Sequence, residues 1–473
     1  MNPKAPPVIG TEWLTTPPLD ERSQRGRVTI IVFWSVGCEA SRARLLELQA
    51  LRRHLPQSLT VVAVHSPRFA YERDTAVVED AVARMHLKMP VVHDPALLTW
   101  ARYSPGGWPA AVVVDHRGRA VGVSLGLDNL DPLHEAAELA LLKAEEDHRK
   151  KTEYRKKTGR SKKTERLELP EPIVPTTNAP DGALAWPSSV ALIPADANGG
   201  VRLAVADSGN DRVLVLALSG DVRRAHVTAA FSNIADLGRV CALSASTLAV
   251  SQPDLGQVSE LDLAGGRTLL ADGIERPQGL AVDVDGSLVI ADAGDNQLLR
   301  IVRHPEPAIG VVAGSGFTGT DDGPAWRAEL AQPVDVIRTP NGLAFLDAAS
   351  SNLRLLTGDS VVRTVTNNGF EEFGLTDGPV HQARMQRPSG LAIDVDGIIY
   401  IADTGNNRIR CIGDRRVRTL GLAGLRQPED LEVLPGGFLA VADTANHRLI
   451  MVDLASRAAW PLEIVGAENG QAS

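Results

Sequence analysis

Ala402-Asp403-Thr404-Gly405-Asn406-Asn407-Arg408-Ile409 is the stretch on which the fold of most of this chain turns, because it recurs. Ala206-Asp207-Ser208-Gly209-Asn210-Asp211-Arg212-Val213 and Ala442-Asp443-Thr444-Ala445-Asn446-His447-Arg448-Leu449 repeat it, and Ala291-Asp292-Ala293-Gly294-Asp295-Asn296-Gln297-Leu298 is a near copy. Decayed copies at 346–353 and 249–258 bring the number to six. Most copies follow an apolar run opened by a proline, as in Arg387-Pro388-Ser389-Gly390-Leu391-Ala392-Ile393-Asp394, with Pro187, Pro277, Pro333 and Pro428 at the same point elsewhere. A period of roughly forty to fifty residues built of short alternating strands indicates a radial array of four-stranded sheets. The expectation is an all-β six-bladed propeller over 181–465, followed by a flexible tail at 466–473.

Within one period the strand logic is local. Around Gly390, three runs rich in β-branched residues are separated by Asp-Gly and Gly-Asn turns, and residues 417–420 supply a fourth. Asp and Asn hydrogen-bond nearby backbone and glycine tolerates positive φ, so the repeated Asp-x-Gly-Asn reads as turn-building rather than ligand-binding. Two periods carry insertions, one from Ala313 to Pro324 and one from Asn368 to Pro379, each ending in a Gly-Pro and a short expected helix, 325–330 and 380–385. Paired insertions on adjacent blades belong on one face of the disc, either as a binding surface or as caps over the gaps between blades.

The propeller segment, from about Trp186 to Leu454, resembles the NHL repeat family, whose members form six-bladed propellers. The first third differs. A continuous apolar strand, Val28-Thr29-Ile30-Ile31-Val32-Phe33-Trp34, runs into Ser35-Val36-Gly37-Cys38-Glu39-Ala40-Ser41 and then an amphipathic helix over 42–54. A strand at 59–64, a helix at about 74–86, a strand at 111–114 and a closing helix at 133–142 complete an α/β pattern. Strand, loop cysteine and helix in that order resemble the redox-site arrangement of the thioredoxin-like family over about residues 7–142, and Gly107-Trp108-Pro109 matches that family's cis-proline loop. Val64-His65-Ser66-Pro67-Arg68-Phe69 and Pro90-Val91-Val92-His93-Asp94-Pro95 resemble the variant found fused to NHL propellers.

What the resemblance implies for chemistry is altered at one residue. The thioredoxin-like site is Cys-x-x-Cys; here the second position is Ser41, and a hydroxyl cannot displace a disulfide. The candidate site residues are Cys38, Ser41 and Pro109, with Trp34, His65 and Trp108 as neighbours, the two tryptophans walling the site. A helix N-terminus favours the Cys38 thiolate and Glu39 opposes it. Two outcomes stay open, a monothiol that forms mixed disulfides with a protein or low-molecular-weight thiol, and a retired site kept for folding or binding. A peroxidase reading, for which Ser35 stands three residues before Cys38, lacks its upstream proline because Ile31 occupies that place.

The remaining features bound the function class. The 473 residues suffice for two cores, and 44% hydrophobic content without a long apolar run argues against a membrane span. Residues 1–7 lack the basic and apolar regions of a signal peptide, and Cys38, Cys241 and Cys411 have neither disulfide nor metal spacing, so the expected location is cytoplasmic. Cys241 and Cys411 fall in apolar strands and are expected as buried core thiols. No cofactor or metal is signalled. Residues 143–180 read as a basic linker in a chain of net charge −9, with a nucleic-acid contact disfavoured because Tyr154 is its only aromatic. Residues 167–174 are a candidate outer strand closing the ring. Three functions follow: a propeller that binds a protein partner and carries a thioredoxin-like accessory, a monothiol oxidoreductase acting on propeller-bound partners, and a propeller hydrolase. The last requires carboxylates converging on the channel, whereas the acidic positions mostly coincide with the turn positions of the repeat.

Overall fold

The computed structural model describes residues 3–10, 12–19, 26–52, 59–126, 131–158, 184–195, 199–303, 308–366, 369–370 and 372–466. The chain divides into two compact units, Met1–Thr177 and Asn178–Ser473. The first is an α/β domain built on one six-stranded sheet. Its strands are β1 (Glu12–Trp13), β2 (Val28–Trp34), β3 (Leu59–His65), β4 (Val91–His93), β5 (Ala110–Val114) and β6 (Ala120–Leu125), in the order β1-β4-β3-β2-β5-β6. β2, β3 and β4 are parallel; β5 and β6 are antiparallel to their neighbours.

The unbroken apolar run of β2 is explained by burial on both faces. Ile30, Val32 and Trp34 pack with Leu45 and Leu48 of helix α1 (Glu39–Arg52), with Val78 and Val82 of α2 (Thr75–Arg84), and with Leu133 and Ala137 further along the chain. Ile31 and Phe33 point the other way, into a cluster with Val62, Val64 and Val112 on which Trp100 and Tyr103 of α3 (Leu98–Tyr103) rest. The closing helix expected over 133–142 is α4 (Asp131–Thr158), so the first part of the stretch read as a linker continues the helix. Helix-forming Ala, Leu, Glu and Lys extend through that segment, and nothing in it breaks the helix before Gly159. The rest of the linker, including the candidate strand at 167–174, lies outside the described residues, as does nearly all of the tail at 466–473.

The second unit contains the other six sheets, one per repeat. Each is a four-stranded antiparallel blade: the first runs from Pro187–Ile193 to Arg224–Phe231, the fifth from Gly390–Ile393 to Arg416–Thr419, and the sixth from Pro428–Leu434 to Ala459–Pro461. The hydrophobic core is distributed between adjacent blades, as where Leu203, Val205 and Leu214 of blade 1 meet Ala440, Leu449 and Met451 of blade 6. Ring closure comes from the C-terminal end. Glu463–Val465 adds a fifth strand, parallel to Arg224–Phe231, on the outer edge of blade 1, while Leu462 is buried at that junction and the Trp460 indole donates to the Val222 carbonyl at 3.1 Å.

The repeated turn works as read, with one relocation. The Asp443 carboxylate accepts from the Arg426 amide at 2.7 Å, from Asn446 Nδ2 at 2.8 Å and from Arg448 Nε at 2.7 Å. Asp207 takes the Ala185 amide, Asn210 and Arg212 in the same way. In blade 5 Arg408 is replaced in that role by Arg410, at 2.7 Å from Asp403. Positive φ falls on Asp211, Asn407 and His447, the residue after the Asn, and not on the glycine. Asn and Asp, and less often His, tolerate that conformation.

The two insertions are clamped to their blades. Buried Arg354 links Asp347 at 2.8 Å to Asp322 of the first insertion at 2.9 Å, and Arg410 links Asp403 to Asp377 of the second at 2.7 Å. Gly323–Pro324 and Gly378–Pro379 pair as short strands with the outermost strand of the blade. The helices expected at 325–330 and 380–385 are single turns closed on Pro324 and Pro379, too short to propagate because the chain must enter the next inner strand at once. Phe317 and Trp326, at 72% and 76% exposure, stand out of the first insertion.

Candidate functional site

Parallel pairing places the carboxyl ends of β2, β3 and β4 side by side, with Trp34 opposite His65 and His65 opposite His93. Open α/β sheets gather their functional groups at this edge. Cys38 sits in the loop leaving β2, immediately before α1, and its carbonyl accepts from the Ser41 and Arg42 amides as the helix begins. Only 4% of Cys38 is exposed. Its Sγ donates to the Trp108 carbonyl at 3.6 Å, and the Trp108–Pro109 bond is cis.

Six sequence-derived residues therefore meet here, though not all in the roles expected. Ser41 is buried; its Oγ accepts from the Ser35 amide at 3.3 Å and also hydrogen-bonds the Cys38 thiol. Trp108 lies beside the thiol, stacked on Trp100 at 4.0 Å between centroids, with its indole donating to the Ser66 carbonyl at 2.8 Å. Trp34 does not wall an opening: it is buried in the core, edge-on to the His65 ring at 4.8 Å. The balance left open between the helix N-terminus and Glu39 is set by a third effect. Burial pushes the thiol up, and this exceeds the opposing help from Ser41 and from the Arg68 charge. Ser35 is committed elsewhere, its hydroxyl donating to Glu72 at 2.8–2.9 Å.

Glu72 is the residue that sequence reading missed. It lies on a single 3₁₀ turn, Ala70–Arg73, without motif or periodicity to single it out, yet it is fully buried. Besides Ser35, its carboxylate accepts from the Gly37 amide at 2.7 Å and from the Arg68 amide at 3.0 Å. Glycine at 37 is required by this approach, because a Cβ there would lie 2.6 Å from Glu72 Oε1 and 2.7 Å from the Phe69 ring.

A second polar cluster occupies the propeller axis. The first strands of all six blades line a cavity of about 220 Å³ that includes Arg239, Cys241, Asp335, Asp430 and Glu432. Acidic side chains thus do converge on the channel, contrary to the expectation that they sit mostly in turns; the strand register that aims them inward is not a local property. Asp335 accepts from the Leu391 amide at 2.7 Å and Asp430 from Ser189 Oγ at 2.6 Å and the Val190 amide at 3.0 Å. Arg239 pairs with Asp430 at 3.0 Å and donates to the carbonyls of Ser188, Ser389 and Glu429, joining blade 2 to blades 1, 5 and 6. Desolvation raises Asp335 to about 7. Cys241 and Cys411 are half-buried rather than fully buried, each packed against a core cluster between blades, and Cys241 also lines the channel.

Among the described residues no helix is long and apolar enough to cross a membrane. A family model described as the NHL repeat matches residues 385–412, which span the repeated turn of blade 5. The chain is 25% identical over 410 residues to Protein SUPPRESSOR OF QUENCHING 1, chloroplastic, of Arabidopsis thaliana, covering 85% of this chain and 34% of that protein. It is 22% identical over 454 residues to human NHL repeat-containing protein 2, covering 89% of this chain and 55% of that protein. Its N-terminal region is 23% identical over 133 residues to the thiol-disulfide oxidoreductase YkuV of Bacillus subtilis strain 168, covering 28% of this chain and 90% of that protein. The chain thus spans 34% and 55% of the length of the first two of these relatives. A thioredoxin-like domain followed by a six-bladed NHL-type propeller is what this chain contains, and in that combination it resembles NHL repeat-containing protein 2.

Proposed function

We propose that this chain is a protein-binding scaffold whose NHL-type propeller engages a protein partner, while its thioredoxin-like domain offers at most monothiol exchange at Cys38. The observation that carries this reading is Ser41: it occupies the resolving position and hydrogen-bonds Cys38. In the exchange, the Cys38 thiol loses its proton to solvent and attacks one sulfur of a partner disulfide. A Cys38–partner disulfide forms, the second partner sulfur leaves as a thiolate, and an external thiol must reduce the adduct. Pro109 and Trp108 border the thiol and define where the partner sulfur enters. The three cysteines, none of them disulfide-bonded, suit a reducing compartment, and a cytoplasmic location belongs to this reading. The partner surface is the propeller face bearing the insertions, where Phe317 and Trp326 are exposed.

A channel hydrolase is less well supported, since Asp335 and Asp430 are engaged by amides, a hydroxyl and Arg239. The monothiol step is tested by incubating the full chain with oxidised glutathione and following intact mass. The expected result is a slow single adduct on Cys38 that persists until a thiol is added, and in Ser41→Cys an adduct that resolves unaided. Spontaneous release from the unaltered chain overturns the monothiol reading.

A further inference from the structure

Beneath the Cys38 loop lie three buried ionisable side chains, Glu72, His65 and His93, none exposed to solvent. His93 Nε2 is 3.3 Å from the Arg73 carbonyl, which only accepts, so that nitrogen carries a proton. His93 Nδ1 lies 3.0 Å from His65 Nδ1, and one of the two must donate. Burial lowers the His93 pKa, which makes His93 the neutral ring of the pair and His65 Nδ1 the donor. His65 Nε2 then faces Glu72 Oε2 at 3.6 Å. Glu72 accepts from three donors and is filled as a carboxylate. A bare nitrogen lone pair 3.6 Å from that carboxylate is repulsive. A proton on Nε2 turns the contact into an ion pair. Asp94 acts on the His65 side of the pair, whereas Glu12 and Glu72 act on His93 in the opposite sense without overcoming its burial.

We infer that His65 is a buried imidazolium paired with Glu72, and that Glu72 is a positioning residue that holds the Cys38 loop closed. The carboxylate fastens Ser35 and Gly37 ahead of Cys38 to Arg68 on the loop after β3, and the His65 charge balances it in a fully buried site. Because desolvation is the main cause of the raised Cys38 pKa, releasing this fastening exposes the thiol and eases its ionisation. The inference deepens the reading of Cys38 as the exchangeable thiol and rests on it only in this last step.

The protonation state is measured in the unaltered full chain labelled with ¹⁵N-histidine, with His65 assigned by loss of its signals in His65→Gln. Two-bond ¹H–¹⁵N spectra at about pH 7.5, a unit above an ordinary histidine, are expected to show both His65 nitrogens protonated and His93 neutral with its proton on Nε2. A neutral His65 overturns the ion pair. The positioning role is measured as the pH profile of Cys38 alkylation in Glu72→Gln. Labelling about tenfold faster at a given pH, with the midpoint moved down, is expected, a factor worth one pK unit. A folded Glu72→Gln chain with an unchanged profile overturns the positioning role. Alkylation needs no partner disulfide, so failure of the glutathione adduct to form leaves both measurements standing.

Discussion

Buried carboxylates organise both units of this chain, but in different ways. In the propeller, Asp207, Asp403 and Asp443 each gather a backbone amide, an Asn and an Arg, and the same arrangement returns blade after blade. In the thioredoxin-like domain Glu72 gathers a hydroxyl and two amides once, beside a cysteine and facing the His65 ring at 3.6 Å. The repeated aspartates find most of their donors within a few residues and brace turns. The single glutamate finds its farthest donor, Ser35, 37 residues away, and braces a loop that must open for the thiol to react. Repetition marks the structural use and isolation the functional one.

The largest effect on the propeller is expected at Arg410, which is fully buried between Asp403 and Asp377. Arg410→Ala strands the Asp403 carboxylate without its cation, an expected loss of about 3–5 kcal/mol in the propeller transition of a denaturant melt. The thioredoxin-like transition should stay in place. If both transitions move together, the two units do not unfold independently.

A change of pH probes Asp403 and two other buried propeller aspartates without mutation. Burial holds Asp347 and Asp403 at about 6 and Asp335 at about 7, despite their arginine neighbours. In each case the folded propeller keeps a proton that the unfolded chain, with an aspartate near 3.9, gives up earlier. Stability contributed by these groups is therefore full at low pH and is lost as pH rises from about 4 to about 7. The propeller midpoint should fall across that window, and a midpoint that climbs there would contradict the burial of these carboxylates.

The smallest effect is expected at Asn446. Asn446→Ala removes one donor from the Asp443 turn and leaves Arg448 and the Arg426 amide in place, for an expected loss of about 1 kcal/mol in the same melt. A loss as large as that for Arg410→Ala would mean that the asparagine, not the charge, carries the turn.

Much of the fold was legible because its determinants are short-range. Asp403, Asn406 and the left-handed Asn407 make a turn within five adjacent residues, and the proline at the start of most inner strands marks the repeat. In the first unit, the unbroken run from Val28 to Trp34 announced a strand covered on both sides. Of the candidate site, Cys38, Ser41, Trp108 and Pro109 were readable through resemblance, and His65 as a strand-end neighbour. The raised Cys38 pKa was not readable, because it follows from how deeply the loop is packed and not from its place before a helix.

What the sequence by itself determined is therefore the period, the turn chemistry, the order of the two units and the loss of the resolving thiol, all of which depend on residues close together in the chain. Only the tertiary structure decided that Glu72 lies under Cys38, that His65 meets His93 in register, and that Arg239 reaches the Glu429 carbonyl 190 residues away at the propeller axis. Parallel register and ring closure set those contacts, and a pattern of neighbouring residues carries no record of which distant strand will lie alongside.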